Sequence, residues 1–151
     1  MIQYINEEEY ITSFTPAKGV VVIDVNCQGI METTKHQELF KTSFPNTYRE
    51  YMKLVADRSL TPGEVLWFEE DTYKIALLVT QTNLVGHETD EDEDVCTYTD
   101  LALEELICTA TENDTTFLCP LINKNNVVAQ RHFHSAATKL GKTFDWCVYV
   151  R

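Results

Sequence analysis

The residues best placed to do chemistry follow an apolar run. Val20–Ile23 is unbroken by any polar side chain, and Asp24, Asn26 and Gln28 then lead into Gly29. A short β-branched run closed by a glycine turn reads as a strand buried on both faces. In α/β sheets ligands gather outside the carboxyl ends of such strands, where loops leave the sheet. Asn26 is therefore placed to meet a ligand. A strand-end asparagine equally caps the turn that follows it, by bonding its own backbone. Pattern alone leaves both readings open.

Other polar clusters carry two readings in the same way. Glu7, Glu8 and Glu9 form an acidic triplet after a short predicted strand over Met1–Ile5, readable as a solvated charge cluster. Glu32 and His36 are the nearest acid–base side chains after Gly29, and each reads equally well as a surface loop residue. Asn123, Lys124, Asn125 and Asn126 follow a predicted strand over Thr115–Ile122. Asparagine is the non-glycine residue best able to adopt the left-handed conformation, and Lys124 supplies a positive charge. His132 and His134 are two apart on a predicted helix and point to different faces, which argues against a metal pair. The residues imply neither metal nor cofactor.

The stretch Glu88–Asp94 is almost wholly acidic, and no Lys or Arg occurs from Ile75 through Asn123. Charge at that density predicts a solvated, mobile loop. A docking patch for a basic protein is a second reading. A cation site is a third, but the glycine and alternating ligands of a calcium loop are missing.

Elements that would position these groups alternate along the chain. Helices are predicted over His36–Ser43 and Thr47–Asp57, the second opening on Thr47-x-x-Glu50, a capping-box signature. Tyr48, Tyr51, Met52 and Val55 form its apolar face. Thr61-Pro62-Gly63 is a turn. Val65–Phe68 and Tyr73–Thr80 are predicted strands, the second central. Thr99 or Asp100 caps a helix running to about Thr111, with Leu103, Leu106, Ile107 and Ala110 inward. A final helix over Val127–Leu140 buries Phe133, Ala136, Ala137 and Leu140 and stops at Gly141. A strand over Phe144–Val150 closes the chain. This alternation predicts a three-layer α/β/α sandwich with a mixed central sheet, as one domain over residues 1–151.

Composition narrows the function classes. Twenty-four acidic residues against 12 basic give a net charge of −12, which disfavours nucleic acid as a partner. Five cysteines without CxxC spacing argue against a zinc site or a disulfide framework and fit a reducing cytoplasm. The start lacks the pattern of a signal peptide, and no apolar run approaches membrane-spanning length.

Val25-Asn26-Cys27-Gln28-Gly29-Ile30-Met31 resembles the first ligand loop of macrodomains, Asn-Cys-x-Gly-x-Met-Gly-x-Gly. Phe40-Lys41-Thr42-Ser43-Phe44-Pro45 is similar to the family's Phe-Lys-Lys-x-Phe-Pro. Tyr48, Tyr51, Leu60, Pro62 and Gly63 follow at its usual places, and Ile75–Gln81 resembles a strand ending Thr-Lys, with Gln81 for the Lys. The resemblance covers most of the chain and implies a macrodomain-like fold that binds ADP-ribose or a related NAD-derived nucleotide. It implies that Asn26 contacts the distal ribose and acts catalytically in any hydrolytic member, as an ADP-ribosyl hydrolase or ADP-ribose 1''-phosphate phosphatase. It implies that Glu8 takes the place of the Asp that accepts the adenine amino group. Gly29, Met31, Lys35, Asn123, Lys124 and Asn125 complete the implied ligand set.

The chain departs from the family at both loops. Glu32-Thr33-Thr34-Lys35-His36 replaces the first glycine segment, with one extra residue before Phe40, and Asn123–Asn126 replaces the second. Glycines there let backbone approach a diphosphate. Glu32 adds opposing charge, and Lys35 offsets it. The expected partners are thus ADP-ribose or a related nucleotide, with an ADP-ribosylated or basic protein as a further class. The alternative is a catalytically inactive acidic interaction protein, such as a viral antagonist. The compact, diverged form suits a phage or other viral gene acting in a host cytoplasm.

Overall fold

Side-chain alternation along one strand sorts the protein into two cores. In strand β2 (Val20–Asn26), Val20 and Val22 point to one face, and Val21, Ile23 and Val25 to the other. All five are buried. The computed structural model describes residues 2–5, 20–30, 34–71, 73–82, 91–109, 116–119, 127–140 and 145–149. The remaining elements are β1 (Ile2–Ile5), α1 (Thr34–Ser43), α2 (Pro45–Ala56), β3 (Val65–Glu70), β4 (Tyr73–Gln81), α3 (Asp92–Thr109), β5 (Thr116–Cys119), α4 (Val127–Leu140) and β6 (Asp145–Tyr149).

The strands form one sheet in the order β1-β6-β5-β2-β4-β3. All pairings are parallel except that of β3 with β4. The sheet is mixed, as the pattern predicts. On one face Val20, Val22, Ala76 and Leu78 pack against Ala102, Leu103 and Leu106 of α3 and Phe133 of α4. On the other, Val21, Ile23, Val25, Ile75, Leu77 and Val79 pack against Phe40 and Phe44 at α1 and its exit and Tyr51 of α2. This is a three-layer α/β/α sandwich. Strand β4 is interior, one place from the β3 edge, and Ile75–Gln81 is buried throughout.

Three expected helix starts are wrong. Helix α1 begins at Thr34, two residues before the expected His36. Helix α2 begins at Pro45, not at Thr47, and its N-cap Phe44 makes no side-chain capping bond. The predicted Thr47–Glu50 box does not form, because both residues already lie within the helix. Proline fits the first helical position, since the amide it lacks has no partner there anyway. The cap comes instead from Glu70 at the end of β3. Its carboxylate accepts Asn46 N–H (3.2 Å), Thr47 N–H (2.8 Å) and the Thr47 hydroxyl (2.9 Å). Glu70 is buried, so the helix's positive end and these donors compensate its lost hydration. Glu50 pairs with Lys53 on the surface.

Helix α3 starts at Asp92, well before the expected cap at Thr99 or Asp100. Both of those residues are interior to it, and the buried Thr99 hydroxyl donates to Val95 O. The acidic stretch was read as a loop through Asp94, yet Asp92, Glu93 and Asp94 form the first turn. Carboxylates near the positive end of a helix are stabilising, which offsets their mutual repulsion. Residues 88–90 lie outside the described residues, as do Ala110 and the side chains of Ala137 and Leu140. Helix α4 has its expected limits, with Phe133 in the core.

Removing the Glu70 carboxylate should therefore destabilise α2 from a distance. Glu70→Ala leaves buried donors without an acceptor and is expected to cost about 2–3 kcal/mol. Glu70→Gln, which keeps an acceptor, should cost about half as much. Urea denaturation of both variants measures this, and an alanine loss under about 0.5 kcal/mol would contradict the capping role.

Candidate functional site

Because β1, β6, β5, β2 and β4 are mutually parallel, their carboxyl ends lie on one edge of the sheet. The segments that follow β1, β2 and β5 carry every residue singled out as a ligand contact. Strands β2 and β5 are parallel neighbours in the sheet. Glu8, Met31 and Asn123–Asn125 lie outside the described residues, as do Glu32 and Lys124. Lys35 falls in the first turn of α1. Asn26 and Gly29 are the sequence candidates whose surroundings can be described in full.

Asn26 closes its own loop. Its Oδ1 accepts the backbone N–H groups of Gln28 (2.9 Å), Gly29 (3.0 Å) and Ile30 (3.3 Å), and its Nδ2 donates to Ile30 O. The side chain is only 4% exposed. The capping reading of Asn26 is thus the one its hydrogen bonds support. Short polar side chains that bond backbone two to four residues on define such turns. The carboxamide serves as acceptor and donor at once, which neither Asp nor Leu reproduces.

The loop is held from below and from the side. Tyr51 of α2, fully buried, donates its hydroxyl to Asn26 O at 2.6 Å. Gly29 has φ +79° and faces Met52 and Val55 of the same helix. An added Cβ would stand 3.2 Å from Met52 Sδ and 3.3 Å from Val55 Cγ1. Positive φ and close packing together explain the glycine. On the other side Cys27 N–H is shared between Gln81 O and Thr82 O, both at 3.2 Å, where the β2–β4 register shifts. The Cys27 thiol reaches towards Leu60 O at 3.7 Å. Gln81, which stands where the resembling family has Lys, is register partner to Asn26 and is buried. What the loop leaves outward is Ile30, 41% exposed.

Sequence reasoning missed the roles of Tyr51 and Gln81 here. Tyr51 was read only as core packing, which it also does: its ring lies 6.2 Å from that of Phe40. A buried tyrosine needs a partner for its hydroxyl, and that requirement was the available signal.

A groove of about 580 Å³ lies elsewhere, between α3 and α4, with Leu103, Ile107 and Ala136 as apolar lining and Asp100, Glu104 and Lys139 beside them. His132 Nε2 meets Asp100 Oδ1 there at 2.7 Å. A concave apolar cavity is the usual default for a binding site. None of the residues implied as ligand contacts lines this one, and its His132–Asp100 pair is partly exposed. The sequence candidates fall in the chain after β1, β2 and β5, at whose carboxyl ends Asn26 and Gly29 are described. Among the described residues no three His, Cys, Asp or Glu side chains are grouped to hold a metal ion. No described helix is long and apolar enough to cross a membrane.

Burial pushes the Tyr51 phenol well above its usual pKa. The folded state therefore favours the neutral phenol. The stability this confers is full below the unfolded tyrosine pKa of about 10 and declines as pH rises beyond it, because the unfolded chain ionises first. Tyr51→Phe should cost about 1–2 kcal/mol near neutral pH, by removing the buried hydrogen bond to Asn26 O. The gap between wild type and variant should narrow above about pH 10. Urea titrations across that range check it, and a gap constant with pH would count against a buried, bonded phenol.

No protein-family model and no curated protein sequence matches the chain. Solved structures do. The macrodomain of Mycobacterium tuberculosis DarG superposes with a TM-score of 0.74 at 20% identity, covering 100% of this chain and 98% of that one. The macrodomain of Thermus aquaticus DarG gives 0.71 at 18% identity, covering 100% and 99%. Thermosipho africanus DarTG, solved in complex with ADP-ribose, gives 0.71 at 14% identity, covering 99% of this chain and 41% of that one. With likeness running from end to end at such low identity, the chain has the macrodomain fold in a divergent form.

Proposed function

We propose that the chain binds ADP-ribose, or a related NAD-derived nucleotide, across the carboxyl edge of its sheet. The observation that carries this reading is the preformed Asn26–Ile30 loop at the end of a central strand. The fold supports it, being that of a protein solved with ADP-ribose. In this reading the segment after β2 and the segment containing Asn123, Lys124 and Asn125 take opposite sides of the ligand. Glu8, Met31, Lys35 and Lys124 are proposed members of the ligand set, the two lysines as phosphate contacts and Glu8 as acceptor for the adenine amino group.

Binding is favoured over turnover. Both ends of the Asn26 carboxamide are engaged in shaping the loop, which supports a positioning role rather than orientation of an attacking water. Glu32 stands in the sequence where the resembling family has its glycine segment, and the negative charge it adds there supports modest affinity. Hydrolysis of an ADP-ribosyl bond or of ADP-ribose 1''-phosphate is accordingly expected to be slow or absent.

A second reading has its own observation. Helix α3 carries many carboxylates and no Lys or Arg, within a chain of net charge −12. An acidic surface of this kind steers a basic protein partner. Calorimetric titration with ADP-ribose separates the two. The nucleotide reading expects saturable binding, with Asn26→Ala weakening it about tenfold or more through loss of loop shape. It expects Glu32→Gly to tighten binding. If wild type fails to bind at millimolar ligand and Glu32→Gly does not rescue it, the acidic interaction protein becomes the better account.

A further inference from the structure

We propose that the groove between α3 and α4 is a docking site for an amphipathic helix of a protein partner, one that carries Lys or Arg beside its apolar stripe. The proposal does not depend on the nucleotide reading. It gives the acidic surface of the second reading a contact face. The α3 residues that line the groove, from Asp100 to Cys108, recur at the three- and four-residue spacing of a single helix face, as do those of α4 from His132 to Lys139. At the rise of an α-helix that is a channel about 10–12 Å long. Its floor is apolar: Leu103 is buried, and Ile107 and Ala136 pack against the same core. Its polar groups do not converge on one point, as they do in a small-molecule site. Asp100 meets His132 at one end. Glu104 and Lys139 stand exposed on opposite banks, and neither forms an ion pair among the described residues. An apolar floor between charged banks is the arrangement that takes a helix laid lengthwise, with side chains at i, i+3, i+4 and i+7 on the floor.

Charge selects the partner. Helix α3 carries six carboxylates and no Lys or Arg, while α4 offers Arg131 and Lys139 and no carboxylate. The helix pair is therefore net negative, in a chain of net charge −12. That field draws in a cationic helix and disfavours a second copy of this chain, which bears the same charge. Asp100 and Glu104 are one turn apart on α3 and would meet two cations one turn apart on the partner. Val128, 54% exposed and one turn before His132 on the same side of α4, lengthens the apolar contact.

The test is fluorescence anisotropy with a labelled peptide of about 18 residues, long enough to hold a helix, with leucines at i, i+3, i+4 and i+7 flanked by lysines. A scrambled peptide of the same composition, without the stripe, is the control. Wild type should bind the patterned peptide saturably and at least about tenfold more tightly than the scrambled one. Glu104→Lys should weaken binding about tenfold or more, and Ser135→Trp, which fills the groove without changing charge, should abolish it. Both positions are exposed, so melting should be unchanged. Glu38→Lys, an equal charge change at an exposed position on α1, should cost less than about threefold. Absence of binding, or equal affinity for the two peptides, overturns the proposal. Equal losses in Glu104→Lys and Glu38→Lys, or full binding by Ser135→Trp, overturn the assignment to the groove. A wild-type dimer in sedimentation that Ser135→Trp dissolves would give the groove to a second copy and overturn it as well. None of these outcomes bears on nucleotide binding, which calorimetry reads separately.

Discussion

The site rests on one carboxamide. Asn26 ends a strand buried on both faces and gathers three successive backbone N–H groups onto a single oxygen. Leaving a buried backbone N–H without an acceptor costs about 1–3 kcal/mol. The turn this creates demands a residue at positive φ, which Gly29 supplies. It also demands a surface for that glycine to lie on, which α2 supplies through Met52 and Val55. Tyr51 then bonds the Asn26 carbonyl from the same helix face. A change at any of these positions is felt at the others, because they share the same few atoms.

Helix α2 is in turn fixed by β3. The buried Glu70 carboxylate caps its start, while Phe40 and Tyr48 meet edge to face at 5.3 Å and Phe44 and Tyr73 at 5.1 Å. A chain of contacts thus runs from the antiparallel edge of the sheet, through α2, to the loop at the carboxyl edge. Such a scaffold suits a site whose work is binding. It holds a loop in one shape before the ligand arrives and lowers the entropy lost on association.

Much of this was legible in the sequence, and the misses share a cause. The apolar run at Val20–Ile23 and the stripe through Phe133 have clear periods, so β2 and α4 were found at nearly their true limits. The start of α2 was misread because its cap is Glu70, distant in sequence, and local patterns cannot register a carboxylate that arrives from another strand. The start of α3 was misread because Asp92, Glu93 and Asp94 repel one another as a loop but are favourable in a first helical turn. At Asn26 the sequence allowed two roles. Only the direction of the side chain separates them, and that depends on Gly29 lying against α2.

The most direct test is a crystal structure of the chain soaked or grown with ADP-ribose. The account predicts the nucleotide across the carboxyl ends of β2 and β5, with the Asn26 carboxamide still bonded to Gln28, Gly29 and Ile30. Nucleotide found instead in the groove between α3 and α4, or an Asn26 side chain swung out of its loop to meet the ligand, would contradict it.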